Sequence, residues 1–121
     1  MRLIFVRLRP FQADAEHLRL TDEDLRALEI ELLERPDAGK LIPGTGGLRK
    51  VRFAPPSFRR GKSGACRVCY AWFPEVHAVY LCVIYTKQER DDMAAADKQY
   101  FKQTLEAYRA WLKDYYRGVL P

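Results

Sequence analysis

Polar and apolar positions change rhythm several times along the 121 residues. Leu3 to Arg9 is a short run of β-forming side chains bounded by Pro10, and it predicts a strand. Thr21-Asp22-Glu23-Asp24 then supplies an N-cap with an acid at the third helical position, and Leu25, Leu28, Leu32 and Leu33 follow at helical spacing. This helix is expected to stop near Arg35, because Pro36 disfavours helical geometry in the residue before it; Asp37 to Gly39 reads as a turn. Leu48 to Phe53 and Cys66 to Phe73 read as strands separated by a loop over Pro55 to Gly61. Val79 to Tyr85 is the most strongly β-patterned run, and the short connection around His77 favours an antiparallel meander of these three.

From Asp91 onward the period becomes helical. Phe101, Leu105, Tyr108, Leu112, Tyr115 and Val119 recur at spacings of four and three, which predicts a helix over 92–118 whose aromatic stripe packs on the sheet. The expected fold class is α+β in one domain over 1–121: a strand and a helix, a three-stranded antiparallel meander, and a long C-terminal helix on one sheet face. No internal repeat or low-complexity segment interrupts it.

Charge adds a feature that the periodicity does not carry. Gly39 to Pro74 holds no Asp or Glu, yet it contains eight basic residues: Lys40, Arg49, Lys50, Arg52, Arg59, Arg60, Lys62 and Arg67. The whole chain has 21 Lys and Arg against 16 Asp and Glu, so outside this stretch acids outnumber bases. A mildly acidic scaffold presenting one cationic segment points to a polyanion, and most directly to nucleic acid. The N-terminal apolar run is too short and too soon followed by charge for a signal peptide, and no segment is long enough to span a bilayer. Three cysteines, an odd number, suit a reducing compartment, so a cytoplasmic location and no membrane partner are expected.

Four motifs then occur in order: Ile42-Pro43, Gly44-Thr45-Gly46-Gly47-Leu48-Arg49-Lys50, Gly61-Lys62-Ser63-Gly64-Ala65-Cys66-Arg67 and Tyr85-Thr86-Lys87, after the Leu20-Thr21-Asp22-Glu23-Asp24-Leu25 helix start. Over roughly residues 20 to 95 the chain resembles the RelE/ParE superfamily of type II toxins, and specifically its HigB-like branch. Ala65 stands where that pattern has a second glycine, and Cys66 precedes the arginine. The resemblance implies a RelE-like fold and an mRNA interferase that cuts messenger RNA on the ribosome. It implies a helix-turn-helix antitoxin as partner, with operator DNA reached only through that antitoxin. ParE-like relatives that poison DNA gyrase suggest an alternative, a non-catalytic inhibitor acting through the long helix. A second alternative is an inactive relative that works only in a repressor complex.

Strand parity proposes who meets whom. Leu48, Lys50 and Arg52 share one face of their strand, Arg67, Cys69 and Ala71 one face of the next, and Leu81, Val83, Tyr85 and Lys87 one face of the third. One sheet face is expected to pack on the helices, and the other to gather Lys50, Arg52, Arg67, Tyr85 and Lys87 round a groove. Such a groove suits metal-independent cleavage by a ribose 2′-OH, which needs alignment, charge neutralisation and proton transfer. Arginine stays protonated, so Arg52 and Arg67 are cast as phosphate clamps. Lys50, flanked by arginines, is the candidate base; Tyr85 is a candidate for stacking or proton transfer, and Lys87 for holding a phosphate or protonating the leaving oxygen. Catalytic candidates are therefore Lys50, Arg67, Tyr85 and Lys87, and RNA-binding candidates Arg49, Arg52, Arg59, Arg60 and Lys62. Arg49 has the opposite parity and is also placed to pair with Glu29 or Glu31. The competing reading of Lys50 and Arg52 is a solvated strand face, and of Tyr85 a packed strand-end aromatic.

No cofactor or metal is expected. Cys66 and Cys69 are an odd offset apart and fall on opposite faces of a strand, and Cys82 reads as a small buried side chain. His17 and His77 read as surface residues. Gly44 to Gly47 lacks the lysine and helix of a phosphate-binding P-loop and reads as a turn that aims the Leu48 strand.

Overall fold

The computed structural model describes residues 2–58 and 65–119, the last four as backbone only. Its elements are β1 (Ile4–Arg7), α1 (Arg9–His17), α2 (Asp22–Glu34), β2 (Lys40–Leu41), β3 (Leu48–Phe53), β4 (Cys66–Phe73), β5 (Ala78–Thr86) and α3 (Ala95–Val119). One five-stranded sheet has the order β1-β5-β4-β3-β2. β1 runs parallel to β5, and the other pairings are antiparallel. The expected meander is thus β3-β4-β5, and the expected α+β class with a long terminal helix is what the chain adopts.

Two elements had no counterpart in the periodicity. Pro10 does not merely end β1; it sits in the first turn of α1, where its missing N–H costs nothing because that group has no intrahelical acceptor. Phe11 and Ala15, four residues apart, are the buried positions of this nine-residue helix. β2 is only two residues long and is defined by pairing with Arg49 and Lys50 rather than by any pattern of its own.

α2 begins as its sequence demands. Thr21 Oγ1 accepts from the Asp24 N–H at 3.1 Å, and Asp24 Oδ2 accepts from the Thr21 N–H at 2.9 Å, a reciprocal capping box. Asp24 is fully buried and also accepts from the Ser57 N–H (2.9 Å) and the Ser57 hydroxyl (2.6 Å), tying the chain after β3 to the start of α2. Burial works against its ionisation, but the hydrogen bonds from Ser57 and Thr21 outweigh it and hold the carboxyl below its usual range.

Both faces of the sheet carry helices, where the sequence pattern led us to expect one covered face and one open groove. α1 and α2 cover one face with Phe11, Leu25, Leu28 and Leu32 against Phe53, Val68, Tyr70, Val79, Leu81 and Ile84. α3 covers the other with Phe101, Leu105 and Leu112 against Leu48, Cys69, Ala71, Phe73 and Val83. Parity also fails once, in β5. A bulge between Cys69 and Tyr70 shifts the pairing from Cys69↔Val83 to Tyr70↔Leu81, so Leu81 packs on the α1/α2 side while Val83 and Tyr85 pack on the α3 side. Tyr80 and Cys82 also join the α3 side, beside Val83. No described helix is long and apolar enough to cross a membrane.

Candidate nucleic-acid interface

Among the described residues, the apolar cover of the α3 side stops short of the strand ends, and the cations lie beyond it. Along β3, Leu48 is buried under α3, Lys50 is half-buried and Arg52 is exposed. The register places Arg52 opposite Arg67 and Arg67 opposite Tyr85, so three neighbouring strands present these residues side by side on one face. Lys50 lies opposite Cys69, two residues further in. Arg67 donates to the Ala65 carbonyl at 3.2 Å and is half-buried. Arg52 also borders a small hollow against α2 that Glu31 and Glu34 line.

The glycine-rich turn that precedes β3 is what aims this strand. Thr45 is buried, donates its hydroxyl to the Ile42 carbonyl at 2.6 Å and accepts from the Leu48 N–H at 3.1 Å. Gly47 adopts a φ of +119°, and a Cβ there would meet the Arg109 guanidinium at 2.5 Å. Arg109 in turn hydrogen-bonds the Gly46 carbonyl and lies 5.0 Å over the Phe73 ring, which locks the turn to α3. The motif thus belongs to the scaffold of the site.

Tyr85 is 1% exposed, with the Arg90 guanidinium 4.6 Å from its ring centroid. Its hydroxyl is buried, and burial pushes the phenol up to about 12, helped by Cys69 and Asp92 nearby. Contact between this ring and a nucleobase therefore requires Arg90 to move. Lys87 is exposed in the turn after β5, which ends at Thr86, so strand parity does not hold it on the face with Tyr85. Arg49 turns the other way: it donates to the carbonyls of Gly39 (2.8 Å) and Asp37 (3.3 Å), while Glu29 is paired with Arg7 at 3.0 Å. Arg59, Arg60 and Lys62 lie outside the described residues.

Four charged residues at the site were not among the sequence candidates. The Lys50 ammonium lies 3.4 Å from Asp92, whose other oxygen is 2.9 Å from Lys98. Lys40 faces Lys50 directly across β2 and β3. Arg90, besides covering Tyr85, pairs with Asp14 at 3.3 Å and so ties the turn after β5 to α1. That turn is also fastened by Glu89, which accepts from the Thr86 N–H and hydroxyl and lies 2.7 Å from His17. The aperiodic stretch 87–94 hid Arg90 and Asp92, whereas Lys40 and Lys98 were visible as charges without a visible neighbour.

The three thiols are buried and free. Burial raises Cys66 and Cys69 to about 11 and Cys82 further, which leaves them inert as nucleophiles at neutral pH. No cluster of three or more metal-ligating side chains occurs among the described residues. His17 is exposed and His77 occupies a left-handed turn position.

No family model matches the chain. Among solved structures it is similar to the E. coli toxin RelE, a double arginine-to-alanine mutant in the free state. The TM-score is 0.48 and the identity 18%, covering 75% of this chain and 90% of that one.

Proposed function

We propose that this chain is the toxin of a type II toxin–antitoxin pair, of the HigB-like kind, and that it cuts messenger RNA on the ribosome without a metal ion. The observation that carries the reading is the row Arg52–Arg67–Tyr85 across β3, β4 and β5, with Lys50 beside it on the α3 face. A strand of RNA laid across this row meets two guanidinium groups that can take a phosphate in bidentate fashion. Proton transfer from a ribose 2′-OH lets that oxygen bond to the adjacent phosphorus while the bond to the 5′-oxygen breaks, leaving a 2′,3′-cyclic phosphate and a 5′-OH. Lys50 is the proposed base, and its contact with Asp92 has to open for that role. Arg67 and Arg52 hold the phosphate and its developing charge, and Lys87 supplies the proton to the leaving oxygen. Tyr85 supports the floor of the site from beneath Arg90.

The cytoplasm, the ribosome and a helix-turn-helix antitoxin are the location and partners that go with this reading, and no cofactor is part of it. A second reading has its own observation: Trp111 and Tyr115 stack at 5.4 Å on the exposed outer part of α3, a surface suited to a non-catalytic inhibitor of the ParE kind. Controlled expression with mapping of new RNA 5′ ends separates the two. New cuts within translated frames that vanish in Lys50→Ala and Arg67→Ala proteins are the expected result. Intact messenger RNA together with DNA damage overturns the nuclease reading in favour of the inhibitor.

A further inference from the structure

Beside the proposed groove, a hollow of about 440 Å³ is lined by Lys40, Leu41, Ile42, Pro43, Lys50, Asp92 and Lys98. Its charge arrangement is unusual for a solvated surface. Two ammonium groups meet one carboxylate, Asp92 bridging Lys50 and Lys98, and a third lysine, Lys40, lines the same hollow directly opposite Lys50 on the neighbouring strand. Like charges directly opposite each other on a strand pair destabilise it. One carboxylate cannot neutralise three cations, so the hollow keeps an excess of positive charge.

Asp92 is itself held in place. Its Oδ1 accepts from the Met93 N–H at 2.7 Å and faces Lys50, while Oδ2 faces Lys98. Two anionic oxygens, each directed at a different ammonium group, reproduce what the two unesterified oxygens of a phosphodiester present. Lys50 lines the hollow and lies opposite Cys69 across β3 and β4, so the hollow adjoins the floor of the groove.

We infer that Lys40 and Lys98 form a second phosphate subsite, which takes a backbone phosphodiester of single-stranded RNA next to the one to be cut, and that Asp92 occupies it, engaging Lys50 as well, when RNA is absent. This rests on the reading of the groove as an RNA site. Lys50 joins the two places, since it belongs to the groove through β3 and to the hollow through Asp92. RNA entry exchanges Asp92 for a phosphate, so the subsite is closed to weak anions and open to a strand held elsewhere along the groove.

Binding of a 2′-O-methyl RNA hexamer, which cannot be cut, tests this without reference to cleavage. Asp92→Asn keeps an oxygen for the Met93 N–H and removes the competing charge; it is expected to tighten binding about two- to fivefold, the range of a surface ion pair. Lys98→Gln and Lys40→Gln are each expected to weaken binding by a similar factor and to flatten log K against log salt by about 0.7. Inorganic phosphate alone is expected to bind far more weakly than the hexamer. An Asp92→Asn protein that is folded and binds no tighter overturns the proposal, as do lysine variants with an unchanged salt slope. Inorganic phosphate binding as tightly as the hexamer makes this a free-anion site and overturns the assignment to RNA. Should Asp92→Asn unfold, the two lysine variants decide alone. A protein that cuts no messenger RNA yet shows the expected binding pattern overturns the proposed reaction and leaves the subsite standing.

Discussion

On the α1/α2 side of the sheet, Phe11, Leu25, Leu28 and Leu32 meet an apolar surface contributed by β3, β4 and β5. On the α3 side, Phe101, Leu105 and Leu112 cover Leu48, Cys69, Ala71 and Phe73, and beyond them the same strands carry Lys50, Arg52 and Arg67. One face is spent on stability, and the other is shared between stability and a cationic site. Because β3 and β4 serve both, the site is held by backbone that the opposite face rigidifies. That division predicts that fold and function can be damaged separately.

Leu28 is 1% exposed at the centre of the closed face. Leu28→Ala is expected to cost about 2–5 kcal/mol, read as a lower denaturant midpoint, through lost transfer energy and a cavity. Arg67→Ala on the open face is expected to change stability by about 1 kcal/mol or less while lowering RNA cleavage on ribosomes at least about 100-fold. If Arg67→Ala unfolded the protein as Leu28→Ala does, the two faces would not differ in the way described.

The closed face also contains a polar clip, and it is the next most sensitive point. Asp24→Ala removes the capping box and both bonds to Ser57, with an expected loss of about 2–4 kcal/mol. Its carboxyl titrates lower in the folded than in the unfolded chain, where the ordinary value is 3.8, so its stabilisation is present above that value and fades as pH falls through the depressed one. Asp14 opposes this, since burial raises it despite its bonds to Ile84 and Arg90. The difference between wild-type and Asp24→Ala midpoints, followed from pH 7 down to about pH 2, is therefore the quantity to measure, and it should shrink in acid.

A smaller effect is expected at the boundary between core and site. Tyr70 lies at full burial on the closed face, donates its hydroxyl to the Pro36 carbonyl at 2.7 Å and accepts from the Gly39 N–H at 2.9 Å. A Cβ on Gly39 would come within 2.9 Å of the Tyr70 ring, so the chain leading into β2 approaches the ring as closely as glycine permits. Tyr70→Phe is expected to cost about 1–2 kcal/mol. It should also raise amide exchange around Lys40 and Leu41, where one wall of the lysine hollow begins. Exchange unchanged there would separate that hollow from the closed face altogether.

How far the sequence foresaw this arrangement depends on the range over which each signal acts. α2, β3 and β4 were legible to the residue or nearly so, because a capping box, alternation and proline breaks act within a few positions. α1 was hidden because Pro10 signals a strand end and a helix start equally well. The bulge at Cys69/Tyr70 was hidden because it is a property of the pairing of two strands, so parity assigned Leu81 to the wrong face. Alternation grouped Arg52, Arg67 and Tyr85 on one face, but their alignment in one row comes from the register of the three strands. The ion pairs of Asp92 and Arg90 were not, since the stretch between β5 and α3 has no period and its partners are distant in sequence.

The smallest expected effect concerns the turn that joins the open face to α1. Burial opposes ionisation of Glu89, but its bonds to His17 and to the Thr86 N–H and hydroxyl prevail and hold the carboxyl below its ordinary value of 4.5. Its contribution is then complete above that value and is lost as pH falls through the lower, folded-state one. The carboxylate is 37% exposed and His17 more so, which caps the pair near the range of a solvated one, about 0.2–1 kcal/mol. Global stability is too blunt to register this, but the Thr86 and Arg90 amides belong to the turn itself. Their exchange, corrected for intrinsic pH dependence, should quicken below about pH 4.5 in the wild type. In Glu89→Gln it should already be quick at pH 7 and change little on acidification. If both proteins respond to acid alike, the turn is held by Arg90 and Asp14 alone, and His17 and Glu89 have no part in linking the open face to α1.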